Sequence, residues 1–404
     1  MKSHILLLII GITSLFYSCD KNKQLTQQQK INDFLYLYEA MEDNYPYFGV
    51  AKRKSDIDWL NKKDEYIERI RKTSSDSAYL YALINILSEL RDGHTDLSPV
   101  PMWEDFLEGY KEASEEMPQY KVWAETVEES VPCISYWSDI MLQNSTKANS
   151  NDANSTDIYK EISHYKDSII HDKSIAIMQI PSISMELIPV DKVKIDEFMN
   201  KISGMDNLII DIQGNGGGAT KYWSDLIVSR LIKDTVIFNH YYAIKDGKLN
   251  RKFYSEDFTT KKRIKKENPF YSKIHPDFLS EQYYFIEEPE VIAAKNPINF
   301  KGNIYLLVDE GVFSSAEGFT YFSKNTGWAK VAGQPTKGDG VGSDPILILL
   351  PESNIIARIP VTAGFNADGN INTETGTAPD IIVDGKTKEE RLQNLIVLLL
   401  TKQK

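Results

Sequence analysis

A buried strand that runs directly into a glycine-rich turn constrains this fold more than any other feature. The segment IIDIQGNGGGAT, residues 209–220, starts with branched apolar residues and then places four glycines within five positions. Such a turn leaves backbone N–H groups free, and the missing side chains let another group approach them closely. We therefore expect an anion-binding turn at the end of a central strand.

Two other interpretations of this turn exist. Written as Gly214-x-Gly216-x-x-Ala219, it imitates a dinucleotide-binding fingerprint, with Asp234 near the spacing of a ribose-binding acid. Gln213 separates the strand from the first glycine, and no second mononucleotide-binding half follows, so the sequence disfavours this reading. A purely structural turn is the other alternative.

The remaining pattern predicts an α/β fold. Short β-rich runs alternate with helical patterns over residues 171–404, at 174–180, 207–212, 303–308 and 354–361. This alternation implies a domain whose sheet is at least partly buried on both faces.

The residues before this domain have a different pattern of apolar and polar residues. Residues 19–96 have apolar residues at helical spacing, interrupted at Pro46, which predicts a small helical domain. Residues 97–170 give weaker signals and form a connecting region, in which the Asn- and Ser-rich stretch 143–156 predicts a mobile loop.

The first residues predict export. Lys2 precedes an apolar stretch, and Cys19 follows it directly, so that residues 1–18 are typical of a signal peptide. The arrangement is similar to a bacterial lipoprotein signal, in which the cysteine is lipidated. We expect a cell-envelope lipoprotein, periplasmic or associated with the outer membrane, that a lipid on Cys19 holds at the membrane. A simple secretory signal with an incidental cysteine is the alternative.

Composition excludes several function classes. A net charge of −12 argues against nucleic acid as the main partner. The six histidines are scattered, and no CxxC or HExxH motif occurs, so we expect neither a metal nor a cofactor.

A serine lies at the start of a predicted helix. In LLVDEGVFSSAEGF, residues 306–319, a strand ends, a turn follows, and Ser314 and Ser315 begin the helix. The helix N-terminus adds positive potential where an oxyanion would develop, which suits a nucleophile. Ser314 with Glu317 three residues later is also a capping-box pattern, and the segment alone favours that cap.

Two further segments hold groups that could assist a nucleophile. In LRDGHTDL a helix stops at Asp92-Gly93, which predicts that His94 lies exposed on a loop. An ordinary histidine titrates near pH 6.5, so its neutral form can accept a serine proton at pH 7. In NTETGTAPD, Glu374 is a carboxylate on a predicted loop. Such a carboxylate is usually only solvated, and it indicates a site only when other functional groups accompany it.

Taken in order, LRDGHTDL, IIDIQGNGGG, VFSSAEGF, GQPTKGDG and ETGTAPD resemble a known peptidase family. It includes the C-terminal processing proteases, interphotoreceptor retinoid-binding protein and the tricorn core. The resemblance implies a crotonase- or ClpP-like catalytic domain of α/β class behind a small helical N-terminal domain. It further implies a serine endopeptidase that cleaves a peptide or protein substrate through an acyl-enzyme.

The resemblance also assigns roles. Ser314 becomes the nucleophile, and the oxyanion hole comes from the N–H of Ser315 and one from the Gly216/Gly217 turn. One branch of the family activates its serine with a lysine, but here that slot holds Asp339, and Lys337 is two positions out of register. The chain therefore resembles the histidine-using branch, with His94 as the base.

The group behind His94 stays open at this stage. In tricorn-type sites a glutamate matching Glu374 supports the histidine through a neighbouring serine, but the neighbour here is Gly93, which has no hydroxyl. Glu374 could reach His94 directly, Thr95 could substitute, or Asp92 or Asp96 could orient the ring.

Two rival functions follow from the same pattern. The missing lysine and the altered relay are also compatible with a non-catalytic lipoprotein that binds peptides or apolar ligands on this fold. A crotonase-like acyl-CoA enzyme is possible by fold alone, but the predicted export argues against it. The sequence predicts no oligomeric state.

Overall fold

A computed structural model describes residues 24–97, 103–148 and 165–401. Within these residues the α-helices are, in chain order, α1 Gln27–Asn44, α2 Phe48–Ser55, α3 Lys63–Arg71, α4 Asp76–Ser88, α5 Trp103–Glu116, α6 Lys121–Ala148, α7 Leu187–Met199, α8 Thr220–Trp223, α9 Ser229–Leu231, α10 Lys248–Phe253, α11 Ser255–Thr259, α12 Ser315–Thr326, α13 Asn372–Thr375 and α14 Lys388–Thr401. The strands are β1 Asp96–Leu97, β2 Lys166–Ile170, β3 Ile175–Gln179, β4 Asn207–Asp211, β5 Val236–Lys245, β6 Tyr283–Ile292, β7 Asn303–Val308, β8 Lys330–Gly333, β9 Ile346–Leu349, β10 Ile356–Ile359, β11 Thr362–Gly364 and β12 Ile381–Ile382.

A six-stranded sheet organises the region that holds the glycine-rich turn. Its order is β12-β8-β7-β4-β3-β2, and all neighbouring strands are parallel except the antiparallel edge strand β2. Along β4, Ile209 packs against the C-terminal helix α14, whereas Leu208 and Ile210 face the core beneath α7 and α12. Because the sheet is covered on both faces, its strands are continuous apolar runs, and the predicted α/β class is confirmed.

The two smaller sheets are antiparallel. Strands β5 and β6 form a long ladder with β11 at its edge, and β9, β10 and β1 form the other sheet. The predicted strand at 354–361 is therefore β10 of this second sheet rather than part of the six-stranded one.

The predicted N-terminal helices are present as α1–α4, with Pro46 between α1 and α2. A capping box of Thr26 and Gln29 starts α1, and Ser75 caps α4 by accepting from the N–H of Ala78. The apolar faces of these helices share one hydrophobic core with β9, β10 and β11, centred on large buried rings such as Trp59. The helical region and the small sheets thus stabilise one another.

The connecting region differs from its prediction. Residues 103–148 form two helices, α5 and α6, and Trp123 of α6 is buried against the core. The first part of the predicted loop, 143–148, is the last part of α6. The rest of that loop, like the predicted signal peptide 1–18 and Cys19, lies outside the described residues.

Two searches of the described residues gave negative results. No helix in the ranges above has both the length and the apolar character to cross a membrane. Over the same ranges, no three or more side chains of His, Cys, Asp and Glu form a group that could hold a metal ion.

Candidate active site

Three adjacent parallel strands deliver most of the predicted site residues. The strands β4, β7 and β8 lie side by side, so their carboxyl ends meet at one edge of the sheet. The glycine-rich turn follows β4, Ser314 follows β7, and Asp339 follows β8. Residues that are far apart in sequence therefore converge at this edge.

Ser314 adopts a backbone conformation that side-chain-bearing residues rarely accept. Its φ of 55° and ψ of −130° lie immediately before the first turn of α12. Its side chain makes no capping hydrogen bond; instead Oγ lies 3.1 Å from Nε2 of His94. The capping interpretation of Ser314 does not hold, because its hydroxyl contacts the imidazole.

Glu317, the other half of the expected capping box, is fully buried behind Ser314. Its Oε1 accepts hydrogen bonds from Asn372 Nδ2 at 2.7 Å and Thr377 Oγ1 at 2.5 Å. Burial raises the pKa of this carboxyl to about 7, although its hydrogen-bond donors act in the opposite direction. Glu317 therefore ties α12 to the α13 segment instead of capping its own helix.

His94 is held between a turn and an aromatic ring. Gly93 has a φ of +91°, and a Cβ there would come within 2.7 Å of the Phe313 ring. The Phe313 ring stacks on the imidazole with centroids 4.6 Å apart, and only 18% of the His94 side chain is exposed. The prediction of an exposed His94 is corrected: packing of Phe313 against the loop encloses it.

Asp92 fixes the loop on which His94 lies. Its Oδ1 accepts the backbone N–H of His94 at 2.8 Å and that of Thr95 at 2.7 Å. Its Oδ2 accepts the hydroxyls of Thr95 and of the buried Tyr45. Asp92 and Thr95 thus hold the backbone of the loop, and neither orients the imidazole ring.

Asp339 is the carboxylate behind His94. Its Oδ2 is hydrogen-bonded to Nδ1 of His94, on the opposite side of the ring from Ser314. Its Oδ1 accepts from Thr373 Oγ1 at 2.6 Å, and the Tyr47 hydroxyl lies 2.9 Å from the same Thr373 oxygen. Ser314, His94 and Asp339 therefore form a continuous hydrogen-bonded row.

Glu374, which the sequence placed behind His94, is elsewhere. Its carboxylate binds the Arg53 guanidinium of α2 through two hydrogen bonds of 2.8 and 2.7 Å. In the single helical turn α13, neighbouring residues point about 100° apart, so Thr373 faces Asp339 while Glu374 faces α2. Asp96, another open alternative, pairs with Arg358 at 3.5 Å.

The sequence contains one signal for Asp339, because this residue occupies the position of the lysine in the lysine-using branch that the chain resembles. The resemblance implies that a residue in this position lies beside the serine, and Asp339 does lie in the row that contains Ser314. Lys337 does not: its Nζ lies over the Phe313 ring, 4.6 Å from the ring centre. Thr373 and Tyr47 carried no comparable signal.

The electrostatics of His94 follow from its neighbours. Burial lowers the pKa of His94, but the hydrogen bond to Asp339 and its negative charge outweigh burial, so the pKa lies above the usual 6.5. The ring is therefore a stronger base than a free histidine, and the neutral form that accepts a proton increases as the pH rises through this raised pKa.

The predicted oxyanion hole is partly rearranged. No hydrogen bond is formed by the N–H of Ser315 within the described part of the chain. The N–H of Gly217, by contrast, donates to Asn215 Oδ1 at 3.0 Å. Gly217 still lies against Ser314, because a Cβ there would come within 2.7 Å of Ser314 Cβ. Gly218, the next residue, lines the same cavity as Ser314.

This cavity has a volume of about 370 Å³ and is open to solvent. It is lined by residues from several segments of the chain, including His94, Ser314, Gly218, Asp339, Tyr110 and Arg358. Ser314 is therefore accessible from solvent through this cavity.

Comparison with known proteins identifies the family and the fold. The model of peptidase family S41 matches residues 174–383, just over half of the chain. Among solved structures, a peptidase candidate from Parabacteroides merdae is 20% identical, with a TM-score of 0.56 over 92% of this chain and 97% of that one. Mature CPAF is 13% identical, with a TM-score of 0.55 over 92% of this chain and 96% of that one. At these identities the structural matches establish the fold. A comparison with curated proteins found no significant sequence match.

Proposed function

The chain belongs to peptidase family S41 and is a serine peptidase; from this premise we propose that it is an endopeptidase whose nucleophile, base and orienting acid are Ser314, His94 and Asp339. The observation that carries this proposal is the row of hydrogen bonds from Ser314 Oγ through the imidazole to Asp339. Nucleophile, base and orienting group are recognised by such geometry rather than by chain order.

In the first half of the proposed reaction, Ser314 Oγ attacks a peptide carbonyl carbon while His94 Nε2 takes the serine proton. Asp339 holds the ring so that Nε2 is the free acceptor, and it stabilises the imidazolium that forms. When the tetrahedral intermediate collapses, the C–N bond breaks and His94 gives the proton to the leaving amine. An acyl-enzyme on Ser314 remains.

In the second half, water takes the place of the amine. His94 accepts a proton from the water, whose oxygen attacks the acyl carbon, and the proton returns to Ser314 Oγ as the ester bond breaks. The enzyme is regenerated and the product is a carboxylic acid.

The oxyanion is expected to bind backbone N–H groups. Ser315 supplies one, at the start of α12, where the helix dipole adds to its effect. Because the N–H of Gly217 is engaged by Asn215, the second donor is expected from Gly218, which lines the cavity, or from Gly216.

The non-catalytic alternative loses its main argument. It rested on the missing lysine and on the altered relay behind the histidine. Here His94 provides the base, and Asp339, in the lysine slot, provides the relay, so neither absence requires an inactive site.

Labelling with a fluorophosphonate tests the nucleophile. Wild-type protein at pH 8 is expected to be labelled, and Ser314→Ala and His94→Ala to lose labelling and peptide cleavage by several orders of magnitude. Ser315→Ala is the matched control and should keep its label. Labelling that survives Ser314→Ala would contradict the assignment, and a wild type that neither labels nor cleaves would favour the binding-protein alternative.

We also propose that the mature protein is a cell-envelope lipoprotein attached through Cys19. The support is the sequence of the first residues alone: the charged start, the apolar stretch and the cysteine that follows it. Metabolic incorporation of a fatty-acid probe should depend on Cys19. Incorporation that persists in Cys19→Ser would refute the anchor.

A further inference from the structure

A second cavity opens beside the nucleophile, and nothing in the reaction described above uses it. It has a volume of about 220 Å³ and is here called the acidic cavity; its side-chain walls come from Thr220, Trp223, His240, Tyr242, Glu288 and Glu290. It shares Thr220, Ser315, Gly340 and Gly342 with the cavity that holds Ser314 and His94. The two cavities are therefore neighbours across the segment that carries the nucleophile.

The position of His94 indicates which part of a substrate enters each cavity. His94 must hand its proton to the leaving amine, so the leaving group lies on the histidine side. His94 lines the larger cavity and does not line the acidic one. The acidic cavity therefore lies on the acyl side of the cleaved bond, where the side chain that precedes the bond must go. This assignment rests on the proposed function.

The walls of the acidic cavity carry excess negative charge. Glu288 and Glu290 lie on the same face of β6, and their side chains are 39% and 33% exposed. Lys261 lies 2.9 Å from Glu288 and also 2.9 Å from the buried Asp257. The Tyr242 hydroxyl also donates to Asp257 and Glu288, and Glu290 is bound by His240 at 2.6 Å. Lys261 is thus the one ammonium group bound to this set of three carboxylates. With His240 neutral, two negative charges are uncompensated.

The same walls are aromatic. The Trp223 ring stacks on Phe319 with an interplanar angle of 7°, and its Nε1 donates to Ser315 Oγ at 3.2 Å. The His240 ring stacks on Tyr321. These contacts fix the rings, so the cavity keeps its shape when it is empty. Fixed aromatic faces with carboxylates among them match a side chain that has an apolar stem and a cationic head.

We propose that the acidic cavity binds an arginine or lysine side chain immediately before the cleaved bond, with Glu288 and Glu290 as the residues that determine this specificity. An arginine fits best, because its planar guanidinium can stack on an aromatic face and bind a carboxylate with two hydrogen bonds. An acidic side chain in the same place is disfavoured by repulsion from both glutamates.

The test separates binding from chemistry by using the inactive variant Ser314→Ala. Its affinity is measured by calorimetry for an N-acetylated tripeptide amide that ends in arginine and for the same peptide with citrulline. Citrulline has nearly the shape of arginine without its charge. We expect the arginine peptide to bind at least about tenfold more tightly.

The variants Glu288→Gln and Glu290→Gln, each combined with Ser314→Ala, are expected to reduce this preference at least threefold, and together to abolish it. Glu287→Gln, combined with Ser314→Ala, is the matched control: it removes the same charge from the same strand, where the side chain pairs with Lys262 outside the cavity, and it should preserve the preference. Equal affinity for the two peptides, or a preference that survives both glutamine substitutions, would overturn the proposal.

Fluorophosphonate labelling of the wild type keeps the two proposals apart. If the wild type is labelled but its Ser314→Ala variant binds both peptides equally, only the proposal for the acidic cavity is contradicted. An unlabelled wild type whose Ser314→Ala variant prefers arginine contradicts the catalytic assignment and supports the cavity.

Discussion

The two halves of the catalytic row are built in opposite ways. The half that carries Ser314 is local: a strand, a short turn and a helix in one stretch of chain, residues 303–326, beside the glycine-rich turn. The half that carries His94 draws on four separate segments, represented by Tyr45 and Tyr47, Asp92, Asp339 and Thr373. A local half should depend on backbone conformation, and an assembled half on hydrogen bonds between distant segments.

The largest loss of activity is expected from a change in Asp339, the residue that binds the imidazole of His94. Asp339→Asn should lower kcat by about 10⁴-fold, because an amide can donate to Nδ1 and stabilise the wrong tautomer. Glu374→Gln is the matched control: it changes a carboxylate to an amide next to Thr373, but that carboxylate binds Arg53. Steady-state cleavage by both variants decides between the two acids. A loss in Glu374→Gln that equals the loss in Asp339→Asn would restore the sequence-based relay.

The local half is tested through its closest backbone approach. Gly217 has a φ of +104°, and a Cβ there would meet Ser314 Cβ at 2.7 Å, so Gly217→Ala should shift the nucleophile and lower kcat by about 10²-fold or more. Gly216, its neighbour, has no atom within 4 Å of an added Cβ, and Gly216→Ala should cause a much smaller loss. Similar losses in both variants would show that the turn acts only as a whole.

This difference also explains what could be predicted from sequence. The strands β3, β4 and β7, the helical character of residues 19–96 and the place of Ser314 at the start of a helix were predicted, because periodicity and turn composition are local properties. The α/β class and the peptidase family followed from them and are confirmed. The helices α5 and α6 were not predicted, and α6 is stabilised by long-range packing of Trp123 that no local pattern shows.

The relay could not be predicted in the same way. Nothing in the sequence near position 374 indicates that Thr373 rather than Glu374 faces the site, since this depends on how α13 is rotated against α2. The place of Asp339 in the site could be predicted, because its position in the sequence matches that of the lysine in the lysine-using branch. A carboxylate in the position of the lysine cannot serve as the base, but it can accept a hydrogen bond from the imidazole of His94.

Thr373→Val sharpens the comparison at the outer end of the row. Thr373 has a single hydroxyl proton and Asp339 can only accept, so valine of nearly the same shape removes one donor to the carboxylate. We expect kcat to fall about tenfold with little change in KM, since a hydrogen bond to a charged group contributes roughly 1.5–3 kcal/mol. Thr375→Val, two residues further in α13, is the control, because its hydroxyl bonds only backbone carbonyls and Asn366. An unchanged kcat in Thr373→Val would remove Thr373 from the row.

The pH dependence of cleavage is the next effect in size. Only neutral His94 accepts the serine proton, so activity should rise with pH through the pKa of His94, which Asp339 holds above 6.5. From pH 8 to pH 6, kcat/KM should therefore fall by at least about fourfold. In Asp339→Asn the acidic limb of the residual activity should move to lower pH, because burial then acts without the opposing charge. If the acidic limb of the pH profile does not move in Asp339→Asn, that limb reports the titration of a group other than His94.

The smallest effect is expected at the base of the histidine loop. The Tyr45 hydroxyl donates to Asp92, which is 6% exposed and holds the backbone N–H groups of His94 and Thr95. Tyr45→Phe leaves those two bonds in place but removes one donor from a buried carboxylate. The free energy of unfolding in urea should fall by about 1–3 kcal/mol, and kcat by only two- to threefold. Tyr36→Phe, at an exposed position of α1, should change neither. A folded Tyr45→Phe variant that loses as much activity as Asp339→Asn would contradict this expectation. Asp92, which holds the backbone of the loop, and Asp339, which holds the imidazole ring, would then act as one unit rather than separately.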